Sequence, residues 1–437
     1  MFGTSGIRGP VGETVTAELA LSVGRAVGID ADRIVVGRDP RESGRVLTDA
    51  LAAGARECGA DVIDLGLAAT PTVARAVGWR DADAGVSITA SHNPAPDNGI
   101  KLWTPSGQAF DEERRTTIER RVREEAWDLA DWTGQGERSH WDGARERHVE
   151  ALTEAVSIDE SLSVVVDVGN GAGGVTADAL AELCCSVETL NAQPDGSFPG
   201  RPSEPTPEHC GTLAATVAAT DADLGIAHDG DADRMRAVAG DGTFLSGDVL
   251  LALFGREAAA SGDRVAVPVD TSLAVADALA SVGAETTRTP VGDVYVAERA
   301  SESGVAFGGE PSGAWIWPEE TLCPDGPLAA CRLAALVARR GPLAELADGV
   351  ETYPIRRENV ETDEKGRVME RVEGLVADRY DGVETLDGVR VDMDEGWFLV
   401  RASGTQPLVR VTAEAREPDA ADAVLEEAMG ILADARA

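Results

Sequence analysis

The chain has 437 residues, of which 43% are apolar, so it is long enough to bury a substantial core and is not a disordered polyanion. Its formal net charge of −38 excludes nucleic acid and anionic membrane as partners, because such a surface repels both. Only Lys101 and Lys365 among the 39 basic residues are lysines. This acidic, lysine-poor composition predicts a halophilic protein whose densely charged surface stays hydrated in concentrated salt.

Three segments of the chain share one order of elements: an apolar strand, a polar turn, a helix and a second strand. They are residues 33–66, 163–191 and 264–292, and their first strands end near Asp39, Asp167 and Asp270. In the first segment, the apolar residues of the helix are Val46, Leu47, Ala50 and Leu51. A parallel crossover needs a helix to cover the sheet, so each segment predicts a β-α-β unit. Three such units predict three related α/β domains.

The C-terminal part of the sequence has a different pattern. Residues 384–415 predict short strands joined by tight glycine turns, and a helix is expected from Pro418 to about Ala435. This order is typical of an α+β domain. The predicted domains are 1–145, 146–241, 242–347 and 348–437, and residues 128–148, rich in Asp, Gly, Arg and Trp, are expected to be a linker or surface loop.

The six cysteines form no C-x-x-C pair and are expected to be core or incidental thiols. The first ten residues show no charged-then-apolar signal pattern, and no apolar run approaches the length of a membrane span. These features predict a cytoplasmic protein.

A serine follows the apolar strand "GVSIT" in the stretch 85–103. Ser91 therefore lies at the carboxyl end of a strand, where open parallel sheets bind their ligands. A serine nucleophile needs activation by a base or by a metal on the electrophile, and His92 and Lys101 are the close candidates. The alternative is a loop of polar capping residues.

The segment "GIAHDGDADRMRAV" (225–238) places Asp229, Asp231 and Asp233 directly after an apolar strand. Three carboxylates this close repel one another unless a hard cation such as Mg²⁺ neutralises them, and the following Arg234 indicates an anion. An EF-hand is excluded, since the sixth position is arginine and the twelfth is Gly240. A solvated acidic turn is the remaining alternative.

Three further loops combine glycine with hydroxyl or charged side chains. In "GGEPSG", Glu310 and Ser312 suit recognition of sugar hydroxyls, and "GTSGIRG" places Thr4, Ser5 and Arg8 between glycines. In "VRASGTQPLVR" the residues that suit a phosphate dianion are Arg401, Ser403, Gly404, Thr405 and Arg410. Each loop alone is equally consistent with ordinary turn chemistry. Together they indicate a site for a phosphorylated polyol.

The motifs "TASHNP", "DGDADR", "GEPSG" and "RASGT" resemble, in order and spacing, those of the α-D-phosphohexomutase superfamily, which includes phosphoglucosamine mutases, phosphomannomutases and phosphoglucomutases. The resemblance covers essentially the whole chain. It implies three related α/β domains, with mixed sheets flanked by helices, plus a C-terminal α+β domain around a central cleft. One motif falls in each predicted domain.

The resemblance also implies roles for individual residues. Ser91 matches the serine that is phosphorylated in the resting enzyme, and Asp229, Asp231 and Asp233 match the Mg²⁺ ligands, with an oxygen of the phosphorylated Ser91 as the fourth. The groups that match those around the transferring phosphoryl are His92, Lys101, Arg8 and Arg234. The residues that match the sugar-hydroxyl contacts are Glu310 and Ser312. The clamp on the nonreacting phosphate is matched by Arg401, Ser403, Gly404, Thr405 and Arg410.

The implied function is the interconversion of hexose 1-phosphate and hexose 6-phosphate through a phosphoserine enzyme and a hexose 1,6-bisphosphate. The implied cofactors are one Mg²⁺ per active site and hexose 1,6-bisphosphate as activator, and the expected assembly is a monomer or homodimer. Glucosamine or mannose phosphate is the expected substrate. Ala314 stands where many relatives have a histidine with an acid/base role, which leaves the proton to His92, Lys101 or water.

Two other functions fit parts of the sequence. A Mg²⁺-dependent sugar-phosphate phosphatase would use an aspartate of "DGDAD" as its nucleophile, although Asp233 stands where such enzymes usually carry Thr or Val. A non-catalytic sugar-phosphate-binding homologue is favoured only by Ala314.

Overall fold

The computed structural model describes residues 3, 6–404 and 406–436. It divides into two compact units, one formed by Met1–Gly247 with Ser312–Ala347 and the other by Asp248–Pro311 with Asp348–Ala437. Thr4, Ser5 and Thr405, named above as candidates for phosphate binding, lie outside the described residues.

The first repeat, residues 7–140, contains a six-stranded mixed sheet. Its elements are β1 (Ile7–Pro10), α1 (Ala17–Gly28), β2 (Arg33–Arg38), α2 (Gly44–Glu57), β3 (Asp61–Leu67), α3 (Thr70–Trp79), β4 (Ala84–Ile88), β5 (Asp97–Trp103), α4 (Glu112–Glu124) and β6 (Arg138–His140). The strand order is β1-β5-β4-β2-β3-β6, and β5 runs antiparallel to both of its neighbours. A helix, α5 (Ala144–Ala155), follows this repeat.

The second repeat, residues 163–239, contains a four-stranded sheet in the same unit. Its elements are β7 (Ser163–Asp167), α6 (Gly174–Glu182), β8 (Ser186–Leu190), α7 (Gly211–Ala219), β9 (Leu224–His228) and β10 (Met235–Ala239). The strand order is β10-β9-β7-β8, with β10 antiparallel to β9 and the remaining pairs parallel.

The second unit contains the third repeat and the C-terminal domain. The third repeat consists of α8 (Gly247–Ala258), β11 (Arg264–Pro268), α9 (Leu273–Ala280), β12 (Glu285–Thr289), α10 (Asp293–Ala300) and β13 (Val305–Gly309). The elements β14 (Trp315–Ile316), α11 (Gly326–Arg340) and α12 (Leu343–Asp348) come next in the chain. The C-terminal domain consists of β15 (Ile355–Glu361), α13 (Lys365–Ala377), β16 (Val389–Asp392), β17 (Gly396–Ala402), β18 (Leu408–Ala415) and α14 (Pro418–Arg436).

The three repeats share one strand arrangement. In each, the first strand of the β-α-β unit (β2, β7 or β11) lies between the second (β3, β8 or β12) and a third (β4, β9 or β13), and all are parallel. The C-terminal domain has an antiparallel sheet in the order β15-β18-β17-β16. These sheets confirm the predicted fold class of three related α/β domains followed by an α+β domain.

Close helix packing in the first repeat depends on two glycines. A Cβ atom on Gly24 of α1 would lie 2.1 Å from the Leu51 carbonyl oxygen of α2, and one on Gly54 would lie 2.1 Å from the Leu21 carbonyl oxygen. The two backbones can approach this closely only because both positions lack a side chain. The two helices therefore meet through small residues, and together they pack against one face of the sheet.

Three sequence interpretations differ from the structure. Residues 128–148 are not only a linker, because β6 adds a strand to the first sheet and α5 begins at Ala144. The strand is three residues long and largely exposed, so it carries no apolar alternation. Val46 is 61% exposed, whereas Leu47 and Leu51 form the buried face of α2. The sequence analysis also omitted β15 and α13.

Candidate active site

Three of the predicted functional loops begin where the third strand of a repeat ends. The serine loop, which carries Ser91, follows β4. The metal loop, which carries Asp229, Asp231 and Asp233, follows β9, and Glu310 directly follows β13. The carboxyl ends of parallel strands are the usual ligand-binding edge of an open sheet. The repeated strand order therefore accounts for the spacing of the motifs along the chain.

Ser91 is held in a backbone conformation that serine rarely adopts. Its φ angle is 52° and the residue is 1% exposed. The Ser91 N–H donates to Thr89 Oγ1 at 2.8 Å, and the Ser91 carbonyl accepts from Arg41 Nη2 at 2.9 Å and from Ser203 Oγ at 2.7 Å. A left-handed conformation persists when surrounding contacts determine it, and these bonds do so.

The three aspartates of the metal loop form a compact cluster of oxygen ligands. Asp229, Asp231 and Asp233 each offer a carboxylate oxygen within 4.8 Å of the others, and all three are buried. The Ser91 hydroxyl donates to Asp229 Oδ2 at 2.5 Å. Within the described part of the chain, Asp231 Oδ1 is buried and lacks a hydrogen-bond partner. A buried, unsatisfied carboxylate oxygen in an all-oxygen cluster fits a Mg²⁺ site.

The charges in this cluster are strongly coupled. Burial, followed by the carboxylates of Asp233 and Asp231, raises the pKa of Asp229 well above its ordinary value. Burial also opposes ionisation of Asp231, but the Lys101 ammonium and the Thr70 hydroxyl outweigh it and lower the pKa of that carboxyl. Lys101 Nζ donates to Asp231 Oδ2 at 2.9 Å and to Asp233 Oδ2. The Lys101 ammonium therefore balances part of the negative charge of the metal loop even before a cation binds.

Three further predicted site residues lie around the Ser91 hydroxyl. His92 Nδ1 is 3.4 Å from Ser91 Oγ, and burial and three neighbouring cations, in order Arg234, Arg8 and Lys101, lower the pKa of the imidazole to about 2. His92 is therefore neutral near pH 7. Arg8 Nε is buried and makes no hydrogen bond to any described residue. The Arg234 backbone N–H donates to Asp229 Oδ1 at 3.2 Å.

The predicted sugar loop is divided between the two units. Glu310 belongs to the second unit, where it is 7% exposed and its Oε1 accepts the Gly292 N–H at 2.7 Å. Ser312 belongs to the first unit and is partly exposed. Ala314 is buried in the first unit and pairs with Arg234 in an antiparallel bridge.

The predicted phosphate clamp lies on the β17–β18 hairpin of the second unit. Arg401 and Arg410 are directly paired across the two strands, so both side chains lie on one face. Arg401 Nη1 is 3.0 Å from Asp387 Oδ2. Ser403 is buried and its Oγ accepts the Gln406 N–H at 3.2 Å, whereas Gly404 is exposed.

Comparison with known proteins identifies the family. Residues 1–128, 146–242 and 246–353 match the profiles of the phosphoglucomutase/phosphomannomutase alpha/beta/alpha domains I, II and III, and residues 358–431 match the C-terminal domain of the same family. The chain belongs to the phosphoglucomutase/phosphomannomutase family. As a member of this family it is a hexose phosphate mutase, that is, an intramolecular phosphotransferase.

Individual relatives agree with this assignment. The chain is 46% identical over 441 residues, 99% of this chain and 97% of the relative, to a "Probable phosphoglucosamine mutase" from Methanopyrus kandleri. A phosphoglucomutase/phosphomannomutase family protein from Burkholderia thailandensis is 28% identical with a TM-score of 0.90, covering 100% of this chain and 98% of that one. N-acetylphosphoglucosamine mutase from Aspergillus fumigatus, solved in complex with GlcNAc-6P and magnesium, is 16% identical with a TM-score of 0.60 over 99% and 95% of the two chains, and shares the fold.

These relatives do not favour the phosphatase or the non-catalytic alternative for this mutase.

Of the helices in the described residues, none combines the length and apolar character that crossing a membrane would need.

Two residues that bond the candidate site were not identified by sequence analysis. Arg41 is 1% exposed and uses all five of its guanidinium donors: Nε bonds Asp39 and the other four N–H groups bond the carbonyls of Ser91, Asn93, Pro94 and Asp97. Thr70 opens α3 and bonds Asp231 twice, through its hydroxyl at 2.6 Å and its backbone N–H at 2.8 Å. The partners lie far apart in sequence, so no local pattern indicates them.

Lys365, one of the two lysines, supports the predicted phosphate clamp. Its Nζ donates to the Ser403 carbonyl at 2.5 Å and to the Gln406 carbonyl at 3.3 Å. Lys101 donates to two side-chain carboxylates of the metal loop, whereas Lys365 donates to two backbone carbonyls of the hairpin turn. Because the sequence contains only two lysines, lysine at these two positions is itself a sequence signal that points to both of them.

Proposed function

We propose that the chain interconverts glucosamine 1-phosphate and glucosamine 6-phosphate by passing a phosphoryl group through Ser91. The observation that carries the mechanism is the 2.5 Å hydrogen bond from the Ser91 hydroxyl to Asp229 at the edge of the aspartate cluster. A hydroxyl placed there is next to the position where a cation would neutralise phosphoryl oxygens. The curated relatives named as phosphoglucosamine mutases support the choice of sugar.

The residues present fit one Mg²⁺ per active site. Asp229, Asp231 and Asp233 would hold the ion together with an oxygen of phosphorylated Ser91, and the unsatisfied Asp231 Oδ1 is a ready ligand. When bound, Mg²⁺ supplies charge neutralisation to the phosphoryl oxygens. The magnesium in the structurally similar N-acetylphosphoglucosamine mutase supports this assignment.

The protein groups around Ser91 orient and stabilise the phosphoryl group. Arg8 has a buried guanidinium N–H without an acceptor among the described residues, and Lys101 and Arg234 add positive charge on the same side. In the transfer step the Ser91 Oγ–P bond breaks and a sugar hydroxyl oxygen forms the new bond to phosphorus. The sugar hydroxyl loses its proton, and the Ser91 oxygen takes up a proton to become a hydroxyl again. With Ala314 in place of a histidine, the neutral His92 or water accepts the proton, because Lys101 is already protonated where it donates to Asp231 and Asp233.

The β17–β18 hairpin is the proposed clamp for the phosphate that does not react. Like charges directly opposite each other on a sheet are destabilising, so Arg401 and Arg410 favour an anion between them. Ser403, Gly404 and Thr405 complete the clamp, and Glu310 and Ser312 contact the sugar hydroxyls. The reaction passes through glucosamine 1,6-bisphosphate, and a hexose 1,6-bisphosphate phosphorylates Ser91 and so activates the enzyme.

The test compares wild type with Ser91→Ala in a 1-phosphate to 6-phosphate assay that contains Mg²⁺ and a trace of hexose 1,6-bisphosphate. We expect turnover in wild type, a loss of at least about 1000-fold in Ser91→Ala, and a phosphoryl mass increment in wild type alone. Ser197→Ala is the matched control, because Ser197 is exposed and its hydrogen bonds to described residues stay within its own turn, at Asp195.

Three results would contradict the proposal. Release of inorganic phosphate that survives Ser91→Ala indicates the phosphatase, and binding of sugar phosphate without turnover indicates a non-catalytic homologue. A higher kcat/KM on mannose 1-phosphate or glucose 1-phosphate than on glucosamine 1-phosphate, measured in molar salt, reassigns the sugar. We expect the active species to be a monomer or homodimer, which light scattering of the assayed sample measures.

A further inference from the structure

A buried hydroxyl connects the serine loop to the metal loop. Ser203 Oγ donates to the Ser91 carbonyl at 2.7 Å and accepts the Gly230 N–H at 3.0 Å. Gly230 lies between the first two aspartates of the metal loop. One oxygen atom therefore bonds the backbone of the proposed phosphoryl carrier and the backbone of the proposed metal cage.

Ser203 is held in place from the second repeat. Arg201 pairs with Asp167 at 2.6 Å and donates to the carbonyls of Pro202, Ser203 and His228. His228 immediately precedes the metal loop. The segment that carries Ser203 and the loop that carries the aspartates are thus fixed to one guanidinium group, which leaves the Ser203 hydroxyl aimed at Ser91.

The space around this hydroxyl leaves no room for adjustment. A Cβ atom on Gly230 would lie 2.7 Å from Ser203 Oγ and 2.9 Å from the Ser91 carbonyl oxygen. Ser203 is 3% exposed, and its hydroxyl is already engaged by the Ser91 carbonyl and the Gly230 N–H. Its two hydrogen bonds join the backbone of the serine loop to the backbone of the metal loop.

We propose that Ser203 is a positioning residue that sets the separation of the Ser91 hydroxyl from the metal-binding aspartates. This inference rests on the proposed function, in which both groups act on one phosphoryl. Without the hydroxyl, the serine loop is still held by Arg41 and the metal loop by Arg201, but no hydrogen bond from residue 203 sets their spacing. Displacements of about 1 Å in a reacting geometry reduce rates by up to about 100-fold.

The experiment uses the full chain with Ser203→Ala, Ser203→Cys and the control Ser197→Ala. Alanine removes the hydroxyl and leaves a small void, whereas cysteine adds a larger sulfur that is a weak donor and acceptor. The two variants change packing in opposite directions, so an effect that they share follows the loss of hydrogen bonding. For both Ser203 variants we expect kcat to fall about tenfold, KM for the sugar phosphate to stay within about twofold, and the rate of Ser91 phosphorylation by hexose 1,6-bisphosphate to fall with kcat.

A second measurement does not depend on turnover. Titration with Mg²⁺ alone, without sugar, should show a dissociation constant raised several-fold in both Ser203 variants and unchanged in Ser197→Ala. The inference is overturned if kcat and the Mg²⁺ constant match wild type, if KM rises while kcat holds, or if lost activity follows lost folded protein. If wild type itself does not turn over, the proposed function fails, and the Mg²⁺ titrations still decide the role of Ser203.

Discussion

The first and second repeats each hold a candidate functional loop in place with a buried aspartate–arginine pair. In the first, Asp39 follows the central strand β2 and pairs with Arg41, whose guanidinium bonds four carbonyls of the serine loop. In the second, Asp167 ends the central strand β7 and pairs with Arg201, which bonds the His228 carbonyl before the metal loop. In both repeats, a buried aspartate forms an ion pair with an arginine. That arginine donates hydrogen bonds to backbone carbonyls in, or directly before, the loop that follows the neighbouring strand.

The third repeat differs, and the difference is informative. Burial raises the pKa of Asp270, which follows β11, and Arg401 of the C-terminal hairpin is the cation that most strongly opposes the shift. The repeat whose loop is proposed to bind sugar therefore takes its positive charge from the clamp for the substrate phosphate. Rigid arginine clamps hold the two loops that are proposed to carry chemistry, whereas in the third repeat the cation that acts most strongly on the buried aspartate comes from the C-terminal hairpin.

The largest effect that this comparison predicts is on stability. Arg41→Met and Arg201→Met each leave a buried carboxylate unpaired and several carbonyls without donors, so each should lower the free energy of unfolding by about 3–5 kcal/mol. Urea unfolding measures the change. Arg145→Met is the control, because its ion pair with Asp178 is about half exposed and should be worth under about 1 kcal/mol.

If either buried arginine variant does not fold, Arg→Lys at the same position is the second test. Lysine keeps the charge but cannot reproduce five donors in a plane, so stability should still fall by more than it does in Arg145→Met. A loss of less than about 1 kcal/mol in Arg41→Met, with Arg201→Met behaving as expected, would break the equivalence of the two clamps.

A smaller effect is predicted between the two loops themselves. Gly230→Ala places a Cβ atom against Ser203 Oγ and the Ser91 carbonyl, and overpacking of this kind costs about 1–3 kcal/mol. Mg²⁺ affinity should fall with it, because the shift moves Asp229 and Asp231. Thermal unfolding and a Mg²⁺ titration measure the two changes.

Gly211→Ala, at the first residue of α7, is the matched control. A Cβ atom there meets nothing within 4 Å, so stability and Mg²⁺ affinity should be retained or stability slightly increased. Equal behaviour of the two variants would show that the contact between the loops tolerates movement, and the close approach at Gly230 would lose its significance.

The sequence predicted the parts of the site that are local. Ser91 and the three aspartates follow apolar strands directly, so a strand end and its polar residue could be recognised together. The β-α-β order of each repeat and the C-terminal hairpin were predicted for the same reason, since their apolar patterns lie within a few residues.

The supporting residues could not be predicted because their partners are distant. Ser203 and Ser91 are 112 residues apart, and Thr70 and Asp231 are 161 apart. Arg41 is one of many arginines in the sequence, and it lies in a polar turn whose composition resembles that of any surface turn. Strand β6 was missed because its residues are mostly exposed, which removes the alternation that marks a strand. Long-range hydrogen bonds of this kind leave no periodic signal.

A threonine of each of these two repeats contacts a buried histidine, and the two histidines differ in their second partner. His228 Nε2 contacts Thr176 Oγ1 at 2.8 Å and its Nδ1 contacts the Arg234 carbonyl, whereas His148 Nδ1 contacts Thr72 Oγ1 at 2.8 Å and its Nε2 lies 3.3 Å from Asp325. Burial lowers the pKa of both imidazoles, to about 4 for His228, and outweighs the Asp325 carboxylate beside His148.

The smallest predicted effect is therefore a pH slope. A folded-state pKa below the unfolded value means that unfolding takes up a proton, so stability is present above pH 6.5 and falls as pH drops below it. His148→Gln, which cannot titrate, should reduce the slope of unfolding free energy between pH 6.5 and 5 by up to about 1.4 kcal/mol per pH unit. His140→Gln, at a side chain that is 65% exposed, is the control for replacing a histidine by glutamine outside the core. An unaltered slope in His148→Gln would mean that His148 already carries a proton in the fold, paired with Asp325, and that the two buried histidines are not equivalent.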